Sequence, residues 1–236
     1  MSEGKKSRAE VLELIVVILL GVTAILTAWV SWMGSMHSGN SAANYTKSNN
    51  IASEGNSEYN AGIQSLMQDM MLYNSINSLS IDLLFAQRQR NRVEIEKLEW
   101  KINELVSNNM SDELEVAYEW SIEEAEKRGE SVSPFEKEGF MESYFATALG
   151  LLEESEVVLK QGQKDSANSD AYGLVTVIYS VVLFMLGITG TFKSEKNKLA
   201  IVVISGLAFL IATIYMFNIP SPTDFSLTSF FSGSSS

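Results

Sequence analysis

The chain has no cysteine, one histidine and three prolines among its 236 residues. Without cysteine it can form no disulfide, no thiolate metal site and no cysteine nucleophile. A Ser-His-Asp site would have to use the single imidazole of His37, and no strand–turn–helix nucleophile motif accompanies any serine. A glycine loop for phosphate is also lacking. These absences predict a protein that is not an enzyme and that uses no cofactor or metal.

His37 follows the first apolar run of the chain directly. An imidazole at that position could respond to pH, because histidine is the side chain that changes charge near neutrality. It could equally serve as a polar contact at the membrane surface. We favour the polar contact, since most histidines of this kind have no sensing role.

The sequence does contain three long apolar runs without a central charge, at 11–33, 171–192 and 199–217. Each has roughly the ~20 residues that a helix needs to cross a bilayer. The first run is longer than the core of a cleaved signal peptide, so we expect an uncleaved anchor. The runs predict an all-α integral membrane protein with three transmembrane helices. Aromatic residues expected at the membrane interface are Trp29, Trp32 and Tyr172.

Basic residues lie next to the apolar runs on one predicted side of the membrane. They are Lys5, Lys6, Arg8, Lys193, Lys196 and Lys198. Short loops rich in Lys and Arg stay in the cytoplasm, so residues 1–10 and the turn 193–198 are predicted inside. Residues 34–170 and the flexible tail 218–236 are then outside a multi-pass protein of the cytoplasmic membrane.

The predicted outer domain is strongly acidic. Residues 34–170 contain 24 Asp and Glu against 11 Lys and Arg, in a chain of net charge −12. Such a surface repels nucleic acid, which is excluded as a partner. The acid runs have no calcium-loop pattern and are interpreted as solvated helix faces.

A seven-residue rhythm from residue 38 onward predicts long antiparallel helices with a coiled-coil-like seam. Its aromatic and apolar members are Tyr45, Tyr59, Ile63, Leu66, Met70 and Tyr73. One helix is expected to continue from the first span to about Ser107, with a kink at a glycine. The same rhythm places asparagines on the seam, where they either fix the register or simply face water.

The predicted far end of this domain is marked by helix caps. Ser111 is a good N-cap for a short helix that Gly129 ends. Ser133, followed by Pro134 and by Glu136 at the third helical position, has the capping-box pattern and predicts the start of the return helix. Asn44 and Asn109 begin glycosylation sequons in the predicted outer domain.

Short motifs along the chain occur in the order typical of a group of uncharacterised prokaryotic three-span membrane proteins. The motifs are Ala28-Trp29, Ser38-Gly39, Ala42, Tyr45, Trp120, Ser133-Pro134-Phe135, Ala167 to Asp170, Tyr172, Thr176, Val182-Leu183-Phe184, Gly187-Ile188, Phe192 and Ile219-Pro220. The chain resembles that group over most of its length. It differs in extra acidic and asparagine-rich stretches and in a modestly basic inner turn. The resemblance implies an N-terminal span, a long helical outer domain and a two-span hairpin, and it implies no activity.

Taken together, these patterns favour a non-enzymatic, membrane-anchored helical scaffold or a sensor-like accessory that binds a partner. We expect it to form a homo-oligomer in the lipid bilayer, with an unknown envelope protein as a further candidate partner. The spans carry hydroxyls but no buried charge, so a coupled pump is disfavoured. A passive ion channel with an acidic vestibule is the alternative.

Overall fold

A computed structural model of the chain describes residues 8–222, with side chains from residue 10 onward. The helices are α1 (Arg8–Gln89), α2 (Arg92–Asn109), α3 (Asp112–Arg128), α4 (Phe140–Ser143), α5 (Ala146–Ile188) and α6 (Glu195–Asn218). Two 3-10 turns, Pro134–Glu136 and Thr189–Thr191, complete the regular structure. No strand occurs between residues 8 and 222, which confirms the all-α prediction.

Three of these helices are long and apolar enough to cross a membrane. They are α1, α5 and α6, and each contains one of the predicted apolar runs. Because large apolar side chains stay exposed along all three, a lipid environment is needed to cover them. The fold is that of a multi-pass membrane protein.

The described chain divides into two compact units. The span unit comprises the chain up to Lys47 and from Val157 onward, and the middle unit comprises Ser48–Glu156. Helices α1 and α5 each contribute to both units, because each continues from an apolar run into a polar stretch.

In the span unit, α1, α5 and α6 share a buried apolar core that includes Val30, Tyr179 and Met216. Most span hydroxyls donate to the carbonyl four residues earlier in their own helix, as Thr23 does to Leu19 at 2.6 Å. Such back-bonding satisfies a polar side chain inside an apolar environment. These hydroxyls therefore need no water-filled lumen to complete their hydrogen bonds.

In the middle unit, α1 and α5 approach most closely where α1 has small residues. A Cβ added to Gly62 would lie 2.3 Å from the carbonyl oxygen of Tyr144, and one added to Gly55 would lie 3.1 Å from the Leu152 side chain. The hydroxyl of Ser48 donates to the Ser155 carbonyl at 2.8 Å. Both glycines lie within an uninterrupted helix, where they permit close packing.

The seam of α1 in the middle unit differs in register from the predicted one. Leu66 is buried, Ile63 and Tyr73 are half-buried, and Tyr59 and Met70 are exposed; in the span unit Tyr45 is half-buried. The fully buried line repeats every seven residues and consists of Ser48, Gly55, Gly62, Asp69 and Ile76. Small residues let two helix backbones come close, and a search for large apolar residues overlooks such a line.

The cap chemistry of α3 is as predicted. The Ser111 hydroxyl accepts a hydrogen bond from the Leu114 amide at 3.1 Å, and Gly129 ends the helix in the left-handed region with φ of 71°. Leu114 and Ala117 of α3 then pack with Leu66, Phe140 and Tyr144 into the core of the middle unit.

Two predicted helix boundaries were wrong. Helix α1 ends at Gln89, not near Ser107, because Arg90 takes a left-handed φ of 55° and Asn91 caps α2 by accepting from the Glu94 amide. The capping box at Ser133 forms, but it begins only a three-residue 3-10 turn. Extended backbone at Lys137 and a left-handed Gly139 end that turn, so the return helix α5 begins at Ala146.

Candidate functional site

The only histidine of the chain lies in a buried polar cluster of the span unit. His37 is 1% exposed and Asp165 is 3% exposed. The imidazole Nδ1 lies 2.9 Å from Asp165 Oδ1, and Nε2 lies 2.9 Å from the carbonyl oxygen of Pro220. One side chain of α1 thus contacts α5 and the segment that follows α6. We call His37, Asp165 and the Pro220 carbonyl the histidine cluster.

Further polar groups complete the surroundings of the Asp165 carboxylate. The side-chain amides of Asn44 and Gln161 donate to its Oδ2 at 3.2 and 3.1 Å. The ring of Tyr172 stacks on the imidazole with a centroid distance of 5.7 Å. Both oxygens of the carboxylate therefore have partners inside the protein, which offsets much of the cost of removing it from water.

The small residues of α1 allow this approach. A Cβ added to Gly34 would lie 3.2 Å from the Tyr172 side chain, and the Ser169 hydroxyl donates to the Gly34 carbonyl at 3.0 Å. A larger residue at position 34 would move α5 away from α1. His37 lies one helical turn further along α1, so the same close packing brings its ring to Asp165.

The hydrogen-bond geometry fixes how many protons the histidine cluster holds. The Pro220 carbonyl can only accept, so Nε2 must carry a hydrogen. Oδ2 of Asp165 accepts from two amides, which favours the ionised carboxylate, and Oδ1 then requires a hydrogen on Nδ1 as well. The arrangement is therefore satisfied by an imidazolium–carboxylate pair with both ring nitrogens donating.

Few other charges approach this pair. On α1 no Asp, Glu, Lys or Arg lies between Glu13 and Lys47, and no charged residue lies between Lys198 and residue 222. The charged neighbours of Asp165 along α5, which are Lys160, Lys164 and Asp170, are exposed. His37 and Asp165, the two ionisable members of the histidine cluster, thus have each other as their direct charged contact.

A second buried carboxylate, Asp69, lies in the middle unit. It accepts from the hydroxyl of Tyr144 at 2.6 Å and from the hydroxyl of Ser111. Burial, together with the hydrogen bond to Asp69, raises the pKa of Tyr144 well above its usual range. This cluster joins α1, the N-cap of α3 and the segment before α5.

An exposed apolar surface follows one side of α1 in the middle unit. It consists of Met67, Met70, Met71, Ile81, Leu84 and Phe85, which we call the methionine face. Their exposed fractions range from 43% to 69%. From Tyr59 to Ile81 the only charged residue is Asp69, and it is buried. Asp82, which follows Ile81, is exposed. An apolar surface of this length with one exposed charge, outside an apolar run, is typical of a site that another protein covers.

The predicted interface anchors lie in different environments. Trp29 is exposed and Trp32 is half-buried, with the two rings edge-to-face at 5.4 Å. Tyr172 is 3% exposed and packs against His37, because α1 has Gly34 opposite it. It therefore lies inside the protein and not at its surface.

The two sequons also differ. Asn44 is half-buried, and its amide nitrogen already donates to Asp165. Asn109 is exposed as the last residue of α2. Of the two, only Asn109 has an amide nitrogen that faces solvent in this fold.

Three of the basic residues used to predict orientation have described side chains, and two of these lie at the surface. Lys193 and Lys196 are exposed, and Lys198 lies 3.8 Å from Glu13. Arg8 is the first residue of α1, and Lys5 and Lys6 lie outside the described residues. The Lys198–Glu13 pair brings the start of α1 and the turn before α6 to the same end of the span unit.

Sequence reasoning missed Asp165 and Pro220 as partners of His37. They are separated from it by 128 and 183 positions, and no local pattern connects them. The sequence did contain one signal: each of the three residues lies a few positions outside an apolar run, at the end of that run predicted to face outward.

Among residues 10–222 no group of three His, Asp or Glu side chains is placed to hold a metal ion. Comparison with family models, with curated proteins and with solved structures finds no match for this chain.

Proposed function

We propose that the protein is a non-enzymatic, membrane-anchored helical scaffold that self-associates through the methionine face. It is located in the cytoplasmic membrane, with the N-terminus and the 193–198 turn inside and the middle unit outside. An envelope protein of unknown identity is the further partner that such a scaffold would position. The exposed methionine face is the observation that carries this proposal.

The chemistry of this surface suits a protein interface. Interface centres are poor in charge and rich in aromatic residues and methionine, and methionine side chains adapt to the shape of a partner. Met67, Met71 and Phe85 are each more than half exposed, so covering them would remove substantial apolar surface from water.

Charge favours a second copy as the occupant. The middle unit contains 22 Asp and Glu against 8 Lys and Arg, so two copies repel each other over most of their surface. The six residues of the methionine face are uncharged, and Asp82 is the one exposed charged residue among positions 67–85, so two such acidic units can approach here with few like charges together. A twofold arrangement would bring this face against itself.

The orientation is supported by charge and by one contact. Lys193 precedes α6, and Lys196 and Lys198 lie in its first turn, where basic residues next to a span remain on the cytoplasmic side. The Lys198–Glu13 pair agrees with a shared location for that turn and the N-terminal end of α1. The order of elements is also that of the three-span group the sequence resembles.

Single-cysteine cross-linking tests the proposal directly, because the native chain has no cysteine. Met67→Cys, Asn74→Cys and Ile81→Cys place one thiol at successive points along the methionine face. In oxidised membranes, at least one of them should give a covalent dimer in high yield. Ser65→Cys is the matched control: Ser65 is exposed on the same helix, and a shift of two residues turns it about 200° away from Met67.

The proposal is wrong if all four variants cross-link equally or if the purified protein is a monomer in lipid nanodiscs. A ring-shaped oligomer that carries cation current in planar bilayers would instead establish the channel. In that case the current should fall when acidic residues of the middle unit are neutralised, since such residues concentrate cations.

A further inference from the structure

We propose that the histidine cluster is a proton-dependent clasp. It holds the segment after α6 against α1 and α5 while the imidazole is charged, and it releases that segment when the proton leaves. This inference concerns the span unit alone and does not depend on self-association through the methionine face.

The clasp follows from the count of donors and acceptors. With an imidazolium, both ring nitrogens donate, one to Asp165 and one to the Pro220 carbonyl. When the imidazole becomes neutral, only one nitrogen keeps a hydrogen. Either the Pro220 carbonyl loses its donor, or the lone pair of Nδ1 faces the Asp165 carboxylate at 2.9 Å. The first outcome breaks a partly buried hydrogen bond and the second breaks a buried one, and either weakens the attachment.

The surrounding groups do not substitute for the lost proton. Asn44 and Gln161 already donate to the other oxygen of Asp165, and Tyr172 contacts the imidazole through its ring. The part of α1 near His37 and the part of α6 near Pro220 carry no ionisable carboxylate or amine. On α5 the nearest charges besides Asp165 are the exposed Lys160, Lys164 and Asp170.

The position of the clasp gives it access to one side of the membrane. His37, Asp165 and Pro220 lie four, six and three residues beyond the apolar runs 11–33, 171–192 and 199–217. All three positions are at the ends predicted to face outward. The clasp would therefore respond to pH outside the cytoplasm.

Two substitutions separate the charge of the imidazole from its shape. Asp165→Asn replaces the carboxylate with an amide of the same size. Its oxygen can accept from Asn44 and Gln161 while its nitrogen donates to Nδ1 of a neutral imidazole. This variant should stay closed at high pH and open at low pH, where the imidazolium faces a second donor. His37→Gln cannot change charge, and its attachment should be independent of pH.

Hydrogen–deuterium exchange of peptides covering residues 36–40 and 218–222, on full-length protein in nanodiscs, measures opening. The ratio of wild-type to His37→Gln exchange at each pH cancels the intrinsic pH dependence of exchange. From pH 5 to pH 8 the wild-type ratio should rise by about tenfold, corresponding to one lost hydrogen bond to a charged group. For Asp165→Asn the ratio should fall over the same interval.

A second measurement uses the single histidine. With ¹⁵N-labelled histidine, the only imidazole signals belong to His37, and they report its protonation directly. The loss of the imidazolium signal should coincide with the rise in exchange. The clasp is ruled out if the wild-type ratio does not change with pH, or if Asp165→Asn follows the wild type. A wild-type His37 that titrates without any change in exchange also rules it out, even where a variant fails to fold.

Discussion

At the scale of single residues, the packing of the middle unit depends on a glycine, Gly62, at a position where a Cβ would not fit. Gly62 is buried in α1, and the carbonyl oxygen of Tyr144 occupies the space that a Cβ would need, at 2.3 Å. A backbone oxygen cannot move out of the way as the end of a flexible side chain can. The same Tyr144 donates its hydroxyl to the buried Asp69, so the position of its backbone also sets a polar contact of the core.

Gly62→Ala should therefore destabilise the middle unit by about 1–3 kcal/mol, the usual cost of overpacking a core. Gly150→Ala is the matched control, since Gly150 lies within α5 with nothing within 4 Å of its added Cβ. There the better helix propensity of alanine should leave stability unchanged or raise it by up to ~1 kcal/mol. Thermal unfolding in detergent measures both variants. Equal effects of the two would show that the segment before α5 does not approach α1 at Gly62.

At the scale of elements, helix ends are held by caps of unequal importance. Ser111 accepts from the Leu114 amide and donates to buried Asp69, so it both begins the 17-residue α3 and satisfies a carboxylate. Ser133 accepts from the Phe135 amide and begins only the 3-10 turn Pro134–Glu136. The same type of cap thus begins a 17-residue helix in one case and, in the other, a three-residue turn whose Pro134 is buried.

Ser111→Ala should lower the free energy of unfolding by about 1 kcal/mol for the cap, plus about 1–3 kcal/mol for the hydrogen bond removed from Asp69. Ser133→Ala should cost about 0.5–1 kcal/mol, the lower part of the range for a cap. Denaturant unfolding monitored by circular dichroism compares the two. A larger effect at Ser133 would mean that the return of the chain depends on that turn more than on α3.

Local chemistry explains which elements could be predicted from the sequence. The caps of α3 involve residues within four positions of each other, so Ser111 and Gly129 gave both ends of that helix. The end of α1 at Gln89 has no glycine or proline, and only the Asn91 cap marks it. The buried line of α1 that contains Gly55 and Gly62 is determined by contacts with Leu152 and Tyr144, which are distant in sequence. The periodicity of apolar residues within α1 carries no information about those contacts.

The same limit applies to the candidate site. The single His37 and its place beyond the first apolar run are evident from the sequence, but no local pattern pairs it with Asp165. That pairing arises only when α1 and α5 pack antiparallel in the span unit and the chain after α6 returns to the same end. Length and composition were sufficient for the three apolar helices, because crossing a bilayer is a requirement on each helix by itself.

At the scale of the whole molecule, function depends on which side of the membrane the acidic middle unit occupies. A scaffold that meets envelope partners, and a clasp that responds to external pH, both require the same orientation. The basic turn at 193–198 predicts it, since moving lysines across the membrane against its potential is unfavourable. The cysteine-free chain allows this orientation to be measured one residue at a time.

Two serine-to-cysteine variants test the orientation with equal chemistry. Ser107 in α2 and Ser194 in the basic turn are both exposed. In intact cells a membrane-impermeant maleimide should label Ser107→Cys and leave Ser194→Cys unlabelled, whereas both should react after the membrane is opened. The reverse pattern would place the middle unit in the cytoplasm and remove the role of the clasp in sensing external pH. Labelling of both variants in intact cells would contradict the three-span topology. The apolar part of α5 is the span that separates the two positions, so both would face outward only if α5 did not cross the bilayer.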